Sequence, residues 1–214
     1  WNNVGSAQTI ESVSSDYQRW NLASFMGRVN YNYKDRYLLT VSARYDGSSR
    51  LAPGHKWVLF PSAALAWRVK EESFLKDVDC LSKLKLRLGW GITGNTAIDP
   101  YKTQGNLEYG RYSYGSNGVL AFYQKEMPNP NLSWEKTEQW NAGIDFGFLN
   151  GRIGGSVDLY LQNTNDLLMD RQLPIVSGFG NVTTNIGQIR NKGLEVTLNT
   201  VNIDTKDFKW TTDF

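Results

Sequence analysis

Residues 25–46, FMGRVNYNYKDRYLLTVSARYD, alternate apolar and polar side chains with a period of two. Phe25, Val29, Tyr31 and Tyr33 fall on one side, and Arg28, Asn30, Asn32 and Lys34 on the other. After a polar break at Lys34-Asp35-Arg36, Tyr37, Leu39, Val41, Ala43 and Tyr45 oppose Thr40, Ser42, Arg44 and Asp46. An extended strand sends successive side chains to opposite faces, so this pattern predicts a hairpin with one apolar and one polar face. Each arm has about ten residues, long for a soluble strand and close to the ~9–11 that cross a bilayer at a tilt. Aromatics bound the apolar face at both ends, where amphipathic rings favour a membrane–water interface.

The same alternation recurs along the chain. It predicts strands over 58–69, 84–92, 135–148, 153–162 and 193–201, and a last strand carrying Phe208, Trp210 and Phe214 on one face. Residues 1–23 read as a loop. Over 70–83 the spacing of Phe74, Leu75, Val78 and Leu81 predicts a short amphipathic helical turn. Residues 93–133 and 163–192 read as long irregular connections, the first rich in tyrosine, glycine and asparagine. Structureless tracts of that length are uncommon in compact domains and are usually functional.

The connections alternate in length. They are short at 34–36, 149–152 and 204–207, medium at 70–83, and longer at 47–56, 93–133 and 163–192. Successive connections of an up-and-down sheet lie at opposite ends, so the long ones share one rim. Outer-membrane barrels have that asymmetry, with short periplasmic turns and long extracellular loops. The recurring charges of the polar faces suit a wet lumen better than a packed core.

Composition excludes several other classes. A mean hydropathy of -0.46 leaves no run long enough for a transmembrane helix. This is compatible with a barrel, whose lipid-facing and lumen-facing residues cancel in any average. The 23 basic and 21 acidic residues nearly balance and form no block that suggests nucleic-acid binding. A single cysteine, Cys80, and a single histidine, His55, argue against a structural zinc site, and no cofactor or metal is expected. Glu135 and Glu138 could in principle serve acid–base chemistry but fall at a strand entry with no cleft implied, no nucleophile motif surrounds a serine, and no enzyme is expected. The sequence opens on Trp1, without a start methionine or a targeting segment, and reads as part of a longer protein.

Several motifs in order resemble the SusC/RagA family of TonB-dependent outer-membrane transporters. They begin with Gly27-Arg28-Val29-Asn30-Tyr31, Asp35-Arg36-Tyr37-Leu38-Leu39 and Arg44-Tyr45-Asp46-Gly47-Ser48-Ser49-Arg50. Phe60-Pro61-Ser62, Ala66-Trp67-Arg68, Leu84-Lys85-Leu86-Arg87 and Gly91-Ile92-Thr93-Gly94-Asn95 continue the set. It ends with Asn129-Pro130-Asn131-Leu132-Ser133-Trp134-Glu135, Asp166-Leu167-Leu168, Asn185-Ile186-Gly187 and Asn191-Lys192-Gly193-Leu194-Glu195. The resemblance covers nearly the whole chain. It implies an all-β, antiparallel, up-and-down transmembrane barrel of which residues 1–214 supply about eight strands of about 22. The plug domain and remaining strands would lie elsewhere. It also implies a multi-pass protein of the bacterial outer membrane, held in lipid, that imports a glycan or peptide with a SusD-like surface lipoprotein and TonB as partners.

Candidate site residues follow from position. Tyr109, Tyr112, Tyr114 and Tyr123 of the tyrosine-rich connection, with Trp57 and His55 at the neighbouring rim, are expected to contact substrate. Arg28, Arg44, Arg68, Arg87, Asp145 and Asp158 are expected to face the lumen. Trp67, Trp90, Trp140 and Trp210 are expected to anchor the wall at the membrane interface. Two other readings remain at this stage. One is a passive porin or structural barrel; the other is a secreted all-β carbohydrate-binding module with the tyrosine-rich connection as its site.

Overall fold

The computed structural model describes residue 15 and residues 17–214. The loop expected over 1–23 therefore lies largely outside the described residues. Twelve strands run through the rest: β1 (Leu22–Tyr33), β2 (Tyr37–Ser48), β3 (Trp57–Arg68), β4 (Leu81–Asn95), β5 (Leu107–Tyr114), β6 (Asn117–Gln124), β7 (Glu135–Phe148), β8 (Ile153–Asn165), β9 (Leu168–Gln172), β10 (Asn181–Asn185), β11 (Gln188–Asp204) and β12 (Lys209–Asp213). Eight of them form one sheet in the order β1-β2-β3-β4-β7-β8-β11-β12, with every neighbouring pair antiparallel. β1 and β12 are its two edges, so the sheet is an open section of wall. The hairpins β5–β6 and β9–β10 stand apart from it, each inside a long connection.

Register carries the alternation across the sheet. Tyr31, Leu39, Leu65, Leu88, Ala142, Leu159 and Leu194 pair strand to strand, as do Tyr33, Tyr37, Trp67, Leu86, Ile144, Val157 and Val196. The polar rows run likewise, for example Asn30, Thr40, Ala64, Gly89, Asn141, Tyr160 and Gly193. Slipping any strand by one residue would move its whole apolar row to the polar face, which fixes the register. The apolar face is open among the described residues: Phe25, Val29, Leu88, Leu159 and Leu194 are all more than half exposed.

Several wall strands are longer than the pattern predicts, whereas β7 has the bounds it predicts. β4 runs 81–95 instead of 84–92, and β11 runs 188–204 instead of 193–201. Their added residues pair in register with neighbours, and pairing needs no side-chain alternation. Residues 93–133 and 163–192 are also less irregular than expected, because each contains a hairpin whose partner strands face each other only once folded. The amphipathic helical turn over 70–83 does not form. Instead a 3-10 turn at Val69–Glu71, which takes Val69 out of β3, leads into a loop. Lys70 Nζ donates to the carbonyls of Leu75, Lys76 and Val78 at 3.0, 3.1 and 2.8 Å, satisfying acceptors that helical N–H groups would otherwise have taken.

One apolar cluster sits at the long-connection end. Leu51, Ala52, Phe60, Leu132 and Trp134 are buried together there. The Ala52 amide donates to the Leu132 carbonyl at 3.1 Å, and Trp134 Nε1 donates to the Lys56 carbonyl at 2.8 Å. These contacts join the 49–56 connection to the segment leading into β7.

Candidate functional site

The polar face of the wall holds a charge cluster. Arg87 on β4 donates to Asp145 on β7 from Nε at 3.0 Å and from Nη2 at 2.8 Å. Its Nη2 also lies 2.9 Å from Asp158 on β8, and Lys83 Nζ is 3.9 Å from Asp145. Gly143 lies between these groups, and a Cβ there would clash with Asp158 Oδ1 and with Arg87. The missing side chain is what lets one guanidinium reach carboxylates on two neighbouring strands.

The other arginines of this face stand apart from that cluster. Arg44 pairs with Asp46 at 2.7 Å and sits over the Phe60 ring at 5.8 Å, next to the apolar cluster. Arg28 borders a concavity it shares with Thr40, Ser42, Ser62, Gln139 and Asn141. Arg68 lies at the short-turn end of β3. Among the described residues, the buried Asp46 Oδ1 and Arg50 Nε make no hydrogen bond.

The tyrosines of the long connection share one hairpin and not one surface. In the β5–β6 register Tyr109 pairs with Phe122, whereas Tyr112 pairs with Val119, Tyr114 with Asn117 and Tyr123 with Glu108. Tyr109 thus lies on the face opposite Tyr112, Tyr114 and Tyr123. All four are more than half exposed. The hairpin's root is fixed by Lys102 and Glu126 at 2.6 Å. His55 is exposed on the 49–56 connection. Trp57 is on the apolar face of β3, stacked on Tyr45 at 5.0 Å and Phe25 at 6.1 Å, apart from the tyrosines of the β5–β6 hairpin. Trp57 can lie flat there because its register partner Gly47 has no Cβ; one would fall 2.5 Å from the ring.

Two carboxylates hold aromatic groups at two levels of the apolar face. Glu138 Oε1 accepts from Trp90 Nε1 at 2.9 Å and Trp140 Nε1 at 3.0 Å. Glu72 accepts from the Tyr37 hydroxyl at 2.7 Å, Trp67 Nε1 at 3.0 Å and Arg36 Nη1 at 3.0 Å. The Tyr37 and Trp67 hydrogen bonds, helped by Arg36, hold the Glu72 carboxyl below the usual glutamate range. Trp210 is exposed on the apolar side of β12. On β3 the step from Trp57 to Trp67 covers about 33 Å of strand, or about 25 Å of height at a tilt of ~40°, which matches the apolar band of an outer-membrane barrel.

Sequence reasoning missed both brackets. The signal for Glu138 was present: it occupies an apolar-parity position of β7, where a lone charge needs partners. Glu72 gave none, since its partners come from β2 and β3. The oxygen-rich stretch Asn163-Thr164-Asn165-Asp166 spends two of its side chains within the wall. Asn163 Oδ1 accepts from Arg190 Nε at 2.7 Å, and the Thr164 and Thr137 hydroxyls bond at 2.9 Å.

An open antiparallel wall with one lipid-compatible face, one charged face and long connections at a single rim defines a section of a transmembrane β-barrel, and its relatives place it among the TonB-dependent receptors. The chain belongs to that family: the family described as "TonB dependent receptor-like, beta-barrel" matches residues 1–214. It is 48% identical to the TonB-dependent receptor SusC of Bacteroides thetaiotaomicron over 202 residues, which are 90% of this chain and 20% of that protein. It is 38% identical to TonB-dependent receptor P26 of Formosa agariphila, over 98% of this chain and 21% of the relative. Among solved structures it resembles the RagAB peptide transporter, with a TM-score of 0.85 and 29% identity, over 99% of this chain and 23% of that one. The siderophore receptor PirA of Pseudomonas aeruginosa shares the fold at a TM-score of 0.58 and 16% identity, over 91% of this chain and 33% of that one. The chain spans about a fifth of the length of these curated relatives.

Proposed function

We propose that residues 1–214 form a section of the barrel wall in a TonB-dependent importer of the bacterial outer membrane. The solute is an oligosaccharide or a peptide. In this reading a plug domain and further strands complete the barrel, TonB acts through the plug, and a SusD-like surface lipoprotein covers the rim of long connections. The apolar rows take the lipid. Arg28, Arg44, Arg68, Arg87, Asp145 and Asp158 take the lumen, and the β5–β6 tyrosines with His55 take the rim.

The observation that carries the proposal is the exposed apolar face of the wall, on which Trp57 and Trp67 of β3 stand about as far apart as the apolar band of an outer-membrane barrel is tall. The identity to SusC and the likeness to the RagAB peptide transporter support import. A secreted carbohydrate-binding module would expose that whole face to water, at large cost. A passive porin shares the wall but not the energy coupling.

The test uses the full-length transporter in its own cells. Uptake of its nutrient should stop when TonB is deleted and return when TonB is restored. Uptake that persists without TonB would establish the porin reading instead.

A further inference from the structure

We infer that the outer, lipid-side surface of the wall binds a phosphorylated glycolipid of the outer leaflet, through Arg190 and Lys192 of β11 and the amides beside them. The apolar rows carry no charge on β1 to β4 or on β8. Between β1 and β11, charges stand at the apolar parity only at Lys136 and Glu138 of β7 and at Arg190 and Lys192 of β11. All four lie at the long-connection end, on the two strands that flank β8. Lys192 pairs with Leu161, level with Trp140, and Arg190 pairs with Asn163, level with Glu138. Gln188 pairs with Asn165, level with Lys136. Three cations and one carboxylate therefore gather where the apolar rows end.

The cations are positioned and unspent. Arg190 Nε donates to Asn163 Oδ1 at 2.7 Å, which fixes the guanidinium and leaves both Nη groups without a partner among the described residues. Glu138 already accepts from two indoles and stands two strands from Arg190, about 10 Å away. Arg190 and Lys192 are both exposed and, two apart on one strand face, stand about 7 Å from each other. A phosphate between them meets a planar fork of N–H donors on one side and an ammonium on the other. Beside Arg190 a concavity of ≈ 140 Å³ is bordered by Asn163, Asn165 and Gln188. Amide side chains both donate and accept, as sugar hydroxyls do. Toward the membrane, Leu161 and Leu159 of β8 and Leu194 and Val196 of β11 continue as apolar rows for acyl chains. The ligand that meets all three surfaces carries phosphate, sugar hydroxyls and acyl chains in one molecule. A glycerophospholipid lacks the sugar, and free phosphate lacks the chains. This surface faces away from the lumen, so neither a plug nor a passing solute covers it.

The site rests on the barrel reading for its place in the membrane, and the test separates the two. Full-length transporter is purified in detergent as wild type, as Arg190→Gln and Lys192→Gln singly and together, and as the exchange Arg190→Lys with Lys192→Arg. Lys85→Gln, from the lumen-side row, controls for the change in net charge. Barrel assembly is checked for each by heat-modifiable mobility. Native mass spectrometry then follows the binding of lipid A monophosphate, dephosphorylated lipid A and phosphatidylglycerol from mixed micelles, with inorganic phosphate as competitor. Wild type should bind lipid A monophosphate. Each single variant should weaken that binding several-fold and the pair on the order of tenfold or more, while the exchange and Lys85→Gln stay within about threefold. Dephosphorylated lipid A and phosphatidylglycerol should bind the wild type on the order of tenfold more weakly, and millimolar phosphate should not displace the lipid. The inference is overturned if wild type fails to bind, if the glutamine variants bind as wild type does, or if Lys85→Gln loses as much as they do. Equal binding of phosphatidylglycerol, or displacement by phosphate, would overturn the glycolipid assignment. A wild type without heat-modifiable mobility would remove the barrel reading, and the site with it, whereas an assembled barrel that fails the binding test removes the site alone.

Discussion

Glu72, in the connection after β3, accepts the hydroxyl proton of Tyr37 at 2.7 Å, although the two residues come from different wall strands' ends. Folding lowers the Glu72 pKa, so its contribution is fully present above the usual glutamate range of about 4.3 and is lost as pH falls through the lowered value. We expect the Trp67 indole environment, read from the 19F resonance of fluorotryptophan at that position, to stay constant from neutral pH to about 4.3 and to shift only below it. The Glu72→Gln variant should show no such acid transition. A midpoint at or above the usual range would refute the bracket.

Leu86 and Arg87 are adjacent in sequence and face opposite media. Leu86 pairs with Ile144, midway between Trp140 and Phe148 on the apolar face. Leu86→Arg should cost ~2–4 kcal/mol and sharply reduce assembled barrel in the outer membrane. Arg87→Leu takes from Asp145 and Asp158 their shared partner but leaves the lipid-side row intact, so it should reduce assembled barrel less than Leu86→Arg does. Equal tolerance of the two changes would mean the faces are assigned the wrong way round.

The rim cluster should be separable from the wall. Leu132 is fully buried, so Leu132→Ala should cost about 2–5 kcal/mol locally. Gly94→Ala would drive a methyl into the Phe60 and Trp134 rings, which are already buried, for about 1–3 kcal/mol. Both should make residues 49–56 cleavable by added protease while heat-modifiability of the barrel is kept. Loss of the barrel itself would show that the cluster is needed for assembly.

The β5–β6 hairpin makes no ladder with the wall. Replacing Leu107–Gln124 by a short Gly/Ser linker should leave the amount of assembled barrel unchanged and lower co-purification of the surface lipoprotein. Unchanged co-purification would place the partner's contacts elsewhere on the rim.

The alternation of 25–46 and 135–148 was enough to define strands, faces and the unequal ends, because the period of two is a property of the backbone alone. The side of the sheet on which Arg28, Arg44, Arg68 and Arg87 stand, and that of Trp67, Trp90 and Trp140, followed by parity. Trp57 has the apolar parity as well, but its place beside a loop pointed to the rim, and the pairing with Gly47 and the stack on Tyr45 put it on the apolar face.

What the chain order determined by itself is which residues meet lipid and which meet water. What tertiary structure decided is which residues meet each other: Glu138 with its two indoles, Arg87 with two carboxylates, and Tyr160 lying over Gly193. Each of these reaches a residue on another strand. Strand order and register bring them together, and no local pattern in the sequence records a distance across a sheet.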